Sequence, residues 1–198
     1  MGSSIDEEPR PVHLTNLTKI GYLRREVETQ TSEYSRYMED KFELSELDRK
    51  ILDVLQDDAR LSSQEIAQRV NSSPSSVWRR IRSMEDAGVI EGFRVTVDAE
   101  KLGLRETILV NVSLDRHTPE TIAAFAAFVQ KSPQVLECYV GTGGHDYSLK
   151  VLAADMRSHF HFLEQGLMKL GCIGKTDSTV VMSKLKETSK IDSTIIPR

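Results

Sequence analysis

The sequence predicts an α+β protein of two units, an N-terminal winged helix-turn-helix head and a C-terminal ferredoxin-like βαββαβ sandwich. Three observations carry that prediction. Between Leu44 and Gly88, apolar residues recur at helical spacing in three successive runs, the last two separated by only a few residues. From Ile108 to Leu185 the pattern switches in the order strand, helix, strand, strand, helix, strand. Between the two halves, Asp98 to Leu104 carries Gly103 near its end and reads as a turn between units.

Composition bounds the remaining possibilities. The 198 residues, 39% of them hydrophobic, suffice for one large or two small domains. No apolar run is long enough to span a bilayer, so no membrane partner is expected. Asp6, Glu7 and Glu8 stand near the start with no apolar core behind a basic cluster, which argues against a secretory signal and for a cytoplasmic protein. With a formal net charge of −4 and a pI of about 5.8, any nucleic-acid contact must come from a local basic patch. The two cysteines are Cys138 and Cys172; Cys138 alternates with apolar neighbours, which predicts a buried, reduced thiol.

Residues 1–43 are polar and mixed in charge, with Leu14, Leu17, Ile20 and Leu23 spaced for one short helical stripe. Such a stripe is marginal alone, so a mostly disordered extension is expected. The head spans residues 44–93. Ser45 with Asp48 is a capping pattern, and Leu47, Ile51, Val54 and Leu55 share one helix face up to Asp57. Ser62 with Glu65 makes a second capping box, Leu61 and Ile66 form its hydrophobic staple, and Ile66, Ala67 and Val70 face inward. Asn71 and Ser72 turn the chain into a third helix. There Ser73 is a good N-cap, Pro74 suits a position whose N–H has no partner, and Gly88 supplies a left-handed stop, so a helix from Pro74 to Ala87 is predicted. Val89 to Val97 reads as a small wing broken at Glu91-Gly92, then a linking strand from Phe93 to Val97; residues 94–104 form this strand and the following turn.

In the sandwich, residues 105–188, Ile108, Val110, Val112 and Leu114 alternate as a strand. Thr118-Pro119 caps a helix with Ile122, Phe125, Ala126 and Val129 inward, and Leu136, Cys138 and Val140 alternate again. Gly141 to Asp146 is a turn, and Tyr147, Leu149 and Val151 return. Asp155 caps a helix with Met156, Phe160, Leu163 and Leu167 inward, Thr179 to Leu185 is the last strand, and residues 189–198 are a tail.

The third helix carries the first chemical signal. Val77, Ile81 and Met84 form an apolar stripe flanked by Trp78, with Ser75, Ser76, Arg79, Arg82 and Ser83 opposite and Arg80 on the border. No acid lies between Ser72 and Met84, although acids outnumber bases in the whole chain. Small hydroxyls in the first turn let a helix end approach a duplex closely, and backbone N–H groups there point at phosphate. These residues are the candidate contacts to double-stranded DNA.

Gly143-Gly144-His145-Asp146-Tyr147 is the second candidate. Glycines permit close backbone approach, exposed N–H groups can hold an α-carboxylate, and Asp146 can accept from an α-ammonium. Against this, glycine-rich turns between antiparallel strands are common structural features. His159 and His161 are spaced i, i+2 and point to different faces without a carboxylate or cysteine cluster, so no metal site is predicted. No phosphate loop, nucleophile elbow or Cys-x-x-Cys pair is present, and neither catalytic residues nor a cofactor are expected.

Leu47-Asp48-Arg49-Lys50-Ile51-Leu52, the run from Ser76 to Ile90, and Gly143-Gly144-His145-Asp146-Tyr147-Ser148-Leu149-Lys150 together resemble the Lrp/AsnC (leucine-responsive, or feast/famine) family of transcriptional regulators. The resemblance covers roughly Leu44 to Thr188. It implies a DNA-binding head, a linking strand used in dimerisation, and a RAM-type effector domain that assembles dimers into larger rings and binds amino acids or related metabolites between subunits. The expected partners are therefore DNA, an amino-acid-type effector and further copies of the chain. Two alternatives differ in class: an enzyme of similar architecture such as a sirohaem decarboxylase, with His145 or another histidine at a tetrapyrrole, and an architectural DNA-binding protein that takes no ligand.

Overall fold

The structure is a computed structural model that describes residues 42–197. The predicted N-terminal extension lies outside the described residues apart from its last two positions. The described residues form two units, one of residues 42–96 with 185–197 and the other Val97–Lys184.

The head contains α1 (Glu46–Asp57), α2 (Ser63–Val70) and α3 (Pro74–Asp86). Each starts where a side chain satisfies a free backbone N–H. Ser45 and Ser62 accept from the N–H of Asp48 and Glu65, whose carboxylates return the bond, and Ser73 accepts from Ser76 N–H. Asn71 ends α2 in the left-handed conformation, at φ 53°, and so makes the tight turn between α2 and α3. Ile51, Ile66, Val77 and Met84 lie at the centre of the head's core. Residues 91–98 belong to no strand within this chain, unlike the predicted linking strand. Phe93, Val95 and Val97 are exposed there, with no strand among the described residues paired to them.

The head also holds residues 190–197, which the sequence predicts to be a tail. From α1, Arg49 donates to the carbonyls of Ser193, Ile196 and Pro197 at 3.3, 3.3 and 3.0 Å. Asp53 accepts from Ser193 Oγ at 2.7 Å, and Gln56 exchanges two hydrogen bonds with the Ile191 backbone at 2.9 and 2.7 Å. Lys190 reaches Asp57 at 2.5 Å. Positions 49, 53, 56 and 57 share one face of α1, so that face is covered by residues 190–197.

The second unit runs β1 (Glu106–Leu114), α4 (Pro119–Lys131), β2 (Val135–Val140), β3 (Tyr147–Ala153), α5 (Met156–Gln165) and β4 (Ile173–Val180). Its four-stranded antiparallel sheet has the order β2-β3-β1-β4, which is the predicted ferredoxin-like arrangement. Ile108, Val110 and Val112 of β1 and Leu149 and Val151 of β3 pack with Phe125 of α4 and Phe162 of α5.

Several local expectations are corrected. The last strand begins at Ile173 and ends at Val180, because β4 is an edge strand that puts the polar Thr176 and Ser178 opposite Val112 and Val110. In α4, Phe128 faces the core and Ala126 is exposed; in α5, Phe162 is buried and Phe160 exposed. The polar His159 occupies the inner face of α5 and disguised its phase. Leu136 stands at a bulge where the β2–β3 register shifts, which turns Val135 inward and leaves Leu136 out. Cys138 is exposed because β2 is the other edge strand, whereas Cys172 is the buried thiol.

Candidate nucleic-acid interface and effector site

Burial fixes the rotation of α3. Val77 and Met84 are fully enclosed and Ile81 half-buried, which leaves Ser75, Arg79 and Arg82 exposed and Ser76 and Ser83 half-buried. Ser73 Oγ takes the Ser76 N–H as the cap and lies 3.3 Å from Ser75 Oγ. Arg82 touches Glu85 and Asp86 at 3.6 and 3.4 Å with its side chain 62% exposed. Exposed pairs of this kind are weak enough to yield to a phosphate or a base edge.

Arg80 departs from the predicted interface. Its Nε donates to Asp48 Oδ1 at 2.5 Å and its Nη2 to Asp48 Oδ2, while its guanidinium lies over the Phe42 ring. Asp48 is 0% exposed and also accepts from Ser45 N and Oγ. Burial alone would raise the Asp48 carboxyl; the hydrogen bonds from Arg80 and Ser45 and the guanidinium charge outweigh it and hold it below the ordinary carboxylate value. The Arg80 pKa moves upward, chiefly through the hydrogen bond to Asp48. Arg80 therefore ties α3 to α1, and Arg79 and Arg82 are the arginines presented outward.

In the second unit the candidate turn joins β2 to β3. Gly143 and Gly144 are exposed, have ordinary φ, and show open space where a side chain would start. Asp146, expected from the sequence as an ammonium acceptor, is engaged within the chain through its Oδ2. It is 6% exposed, and its Oδ2 accepts from Leu114 N–H and pairs with His117 Nε2, both at 2.8 Å. Its backbone N–H donates to Val112 O, and its carbonyl accepts from Gly141 N–H. Asp146 thus fastens the turn to the end of β1. Tyr147 packs its ring 4.2 Å from Phe125, and His145 Nδ1 is buried without a hydrogen-bond partner among the described residues.

Two family signatures match consecutive stretches of this chain: winged helix-turn-helix DNA-binding over residues 44–91 and the Lrp/AsnC ligand binding domain over residues 107–191. The transcriptional regulator AzlB of Bacillus subtilis is 39% identical over 148 residues, which cover 75% of this chain and 94% of that protein. The chain belongs to the Lrp/AsnC family. The leucine-responsive regulatory protein of Escherichia coli K12 is 32% identical over 149 residues, 75% of this chain and 91% of that one. Among solved structures, a transcriptional regulator of Neisseria meningitidis in complex with L-methionine has a TM-score of 0.73 at 34% identity, covering 75% of this chain and 96% of its own.

In this Lrp/AsnC regulator α3 is the third helix of the winged helix-turn-helix head. Sequence reasoning placed Ser75, Ser76, Arg79, Arg82 and Ser83 on its outer side and missed the commitment of Arg80. It also missed His117. The Thr118 cap lies next to His117, but the chain gives no local signal that a residue just before α4 meets a carboxylate 29 positions later.

Proposed function

We propose that this Lrp/AsnC regulator reads double-stranded DNA through Arg79 and Arg82, and that its DNA affinity or assembly responds to an amino acid or related metabolite at the Gly141 to Asp146 turn. The observation that carries the first half is the rotation of α3, which buries Val77 and Met84 and presents Arg79 and Arg82 outward. Arginine forks pair with guanine edges or phosphates. Ser75, Ser76 and Ser83 lie close enough on the same helix to contact backbone or base edges.

For the effector, the open approach to Gly143 and Gly144 leaves room for a carboxylate against the backbone, beside His145. Asp146 acts here as a positioning residue. The methionine complex of the Neisseria regulator supports an amino-acid ligand, and the regulator identity of the relatives favours this reading over a sirohaem decarboxylase or a ligand-independent architectural protein. Exposed Phe93, Val95 and Val97 support pairing with a second copy, and one head contacts too few bases for operator-level affinity. A homodimer, extended to higher oligomers, is the working assembly. None of the described helices is long and apolar enough to cross a membrane, and a cytoplasmic setting fits such a regulator.

The test is a mobility-shift titration of the full chain on its own upstream DNA with and without each amino acid. A specific shift whose midpoint moves with one or a few amino acids is expected. Binding indifferent to sequence and to every amino acid would favour the architectural alternative.

A further inference from the structure

The apolar side chains of α3 do not all serve the core. Val77 and Met84 are enclosed and Ile81 is half-buried, but Trp78 is 63% exposed. At about 100° per residue, Trp78 lies about 40° around the helix from Arg82, about 60° from Ser75 and about 160° from Arg80. The Arg80 flank is tied to Asp48 of α1, whereas the Trp78 flank is open. The surroundings of the indole favour an anion. Arg79 and Arg82 are its neighbours, no acid lies between Ser72 and Met84, and Glu85, two turns further along the same flank, is held by Arg82 at 3.6 Å.

Size decides what such a flank meets on a duplex. An α-helix with its side chains is about 10–12 Å across and the major groove of B-DNA is about 12 Å wide, so a helix seated there fills it. Side chains at the middle of the outer face then reach base edges, and those on a flank meet a sugar–phosphate wall. Arg79 stands near that middle, between Ser75 and Ser83, and Trp78 is roughly a quarter turn away. An indole N–H donates and cannot accept, which suits a phosphate oxygen, and the apolar ring suits a sugar.

We propose that Trp78 is a DNA backbone contact, an inference that rests on α3 entering the major groove. Its indole N–H donates to a phosphate oxygen on one wall of the groove, and its ring lies against the adjoining sugars. This contact carries no base information; it fixes the depth and rotation at which Arg79 and Arg82 meet the bases.

Trp78 is the only tryptophan of the chain, so tryptophan emission of the full chain reports on this side chain alone. Its quenching by acrylamide should be strong in the free protein and fall when the chain's own upstream DNA or a scrambled duplex is added. Trp78→Phe, which keeps a ring and removes the N–H, should melt as the wild type does and weaken binding roughly two- to tenfold on both duplexes alike. Because the indole is neutral and displaces no counterion, the salt slope should stay unchanged, unlike the drop of about one unit for an arginine lost from a phosphate. The proposal is overturned if quenching is the same with and without DNA, if Trp78→Phe binds as the wild type does, or if it weakens upstream DNA and spares the scrambled duplex, as a base contact would. Arg79→Ala and Arg82→Ala, measured alongside, separate the two failures. If they weaken binding while Trp78 fails, only the backbone contact falls; if they too bind as the wild type does, the reading of α3 falls and takes this proposal with it. Should Trp78→Phe fold poorly, quenching of the wild type decides.

Discussion

The buried carboxylate of Asp48 holds the guanidinium of Arg80 through both of its oxygens, across 32 positions of sequence. The same carboxylate closes the capping box of α1, so one side chain sets both the start of the first helix and the seating of α3. Arg80 is therefore part of the frame that aims Arg79 and Arg82.

Breaking this pair should destabilise the head. Asp48→Ala is expected to cost about 3 kcal/mol, the lower part of the range for a broken buried pair, since the Arg80 side chain keeps 28% exposure. Because the Asp48 pKa is lowered in the native state, the unfolded chain binds more protons at acid pH. The contribution is complete above the ordinary carboxylate value of about 4 and disappears as pH falls through the depressed native value. Denaturant melts from pH 6 to pH 3 should show a steeper acid loss in the wild type than in Asp48→Asn.

On DNA, Arg79→Ala and Arg82→Ala should weaken binding while leaving the melting temperature of the head nearly unchanged. A bidentate contact to guanine contributes about 1–3 kcal/mol of base discrimination, whereas a phosphate contact lowers the salt slope by about one unit for all sequences alike. Arg80→Ala should instead lose binding together with stability. Mobility shifts across salt on operator and scrambled DNA, read beside thermal melts, separate these roles. If Arg79→Ala and Arg82→Ala bind as the wild type does at every salt concentration, α3 is not the reading helix.

What the sequence made legible was local. Ser45, Ser62, Ser73, Thr118 and Asp155 cap helices through backbone N–H groups three positions away, and such spacing can be read from the chain directly. The long apolar alternation of β1 likewise identified a strand, which the fold places inside the sheet. The meeting of Asp48 with Arg80 and of His117 with Asp146 depends on tertiary packing, which no local period encodes. For the same reason Arg80 and Asp146, expected from the sequence to make direct contacts, have partners within the chain that no local pattern announces. Edge strands were misread because hydroxyl side chains replace apolar ones on β4, and α5 was misread because His159 fills an inner position.

The segment from Lys190 to Pro197 should stabilise the head despite its polarity. Its bonds to Arg49, Asp53, Gln56 and Asp57 run largely through backbone groups, which composition does not reveal. Removing residues 189–198 is expected to lower head stability by about 1–3 kcal/mol, since net hydrogen bonds contribute roughly 1 kcal/mol each and exposed ones less. Arg49→Ala should give a substantial part of that loss. Hydrogen exchange of α1 amides in the full chain and the truncated chain measures it; unchanged protection would show that the segment is a passenger on α1.

The last prediction distinguishes positioning from contact at the effector turn. If Asp146 bound a ligand ammonium directly, Asp146→Ala would abolish the amino-acid response and His117→Ala would leave it intact. If Asp146 acts by tying the turn to Leu114 N–H and His117, then both substitutions should weaken the response, because each loosens the same anchor. Asp146→Ala should have the larger effect, since it also strands the Leu114 N–H. A ligand shifts assembly or DNA affinity only through unequal binding to two states, so the response must appear together in ligand affinity and in oligomer distribution or operator binding. Calorimetry and light scattering on the wild type, Asp146→Ala and His117→Ala, with mobility shifts to confirm that the head remains active, provide the readout. Loss in Asp146→Ala with a fully wild-type response in His117→Ala would assign Asp146 to the ligand and end the positioning account.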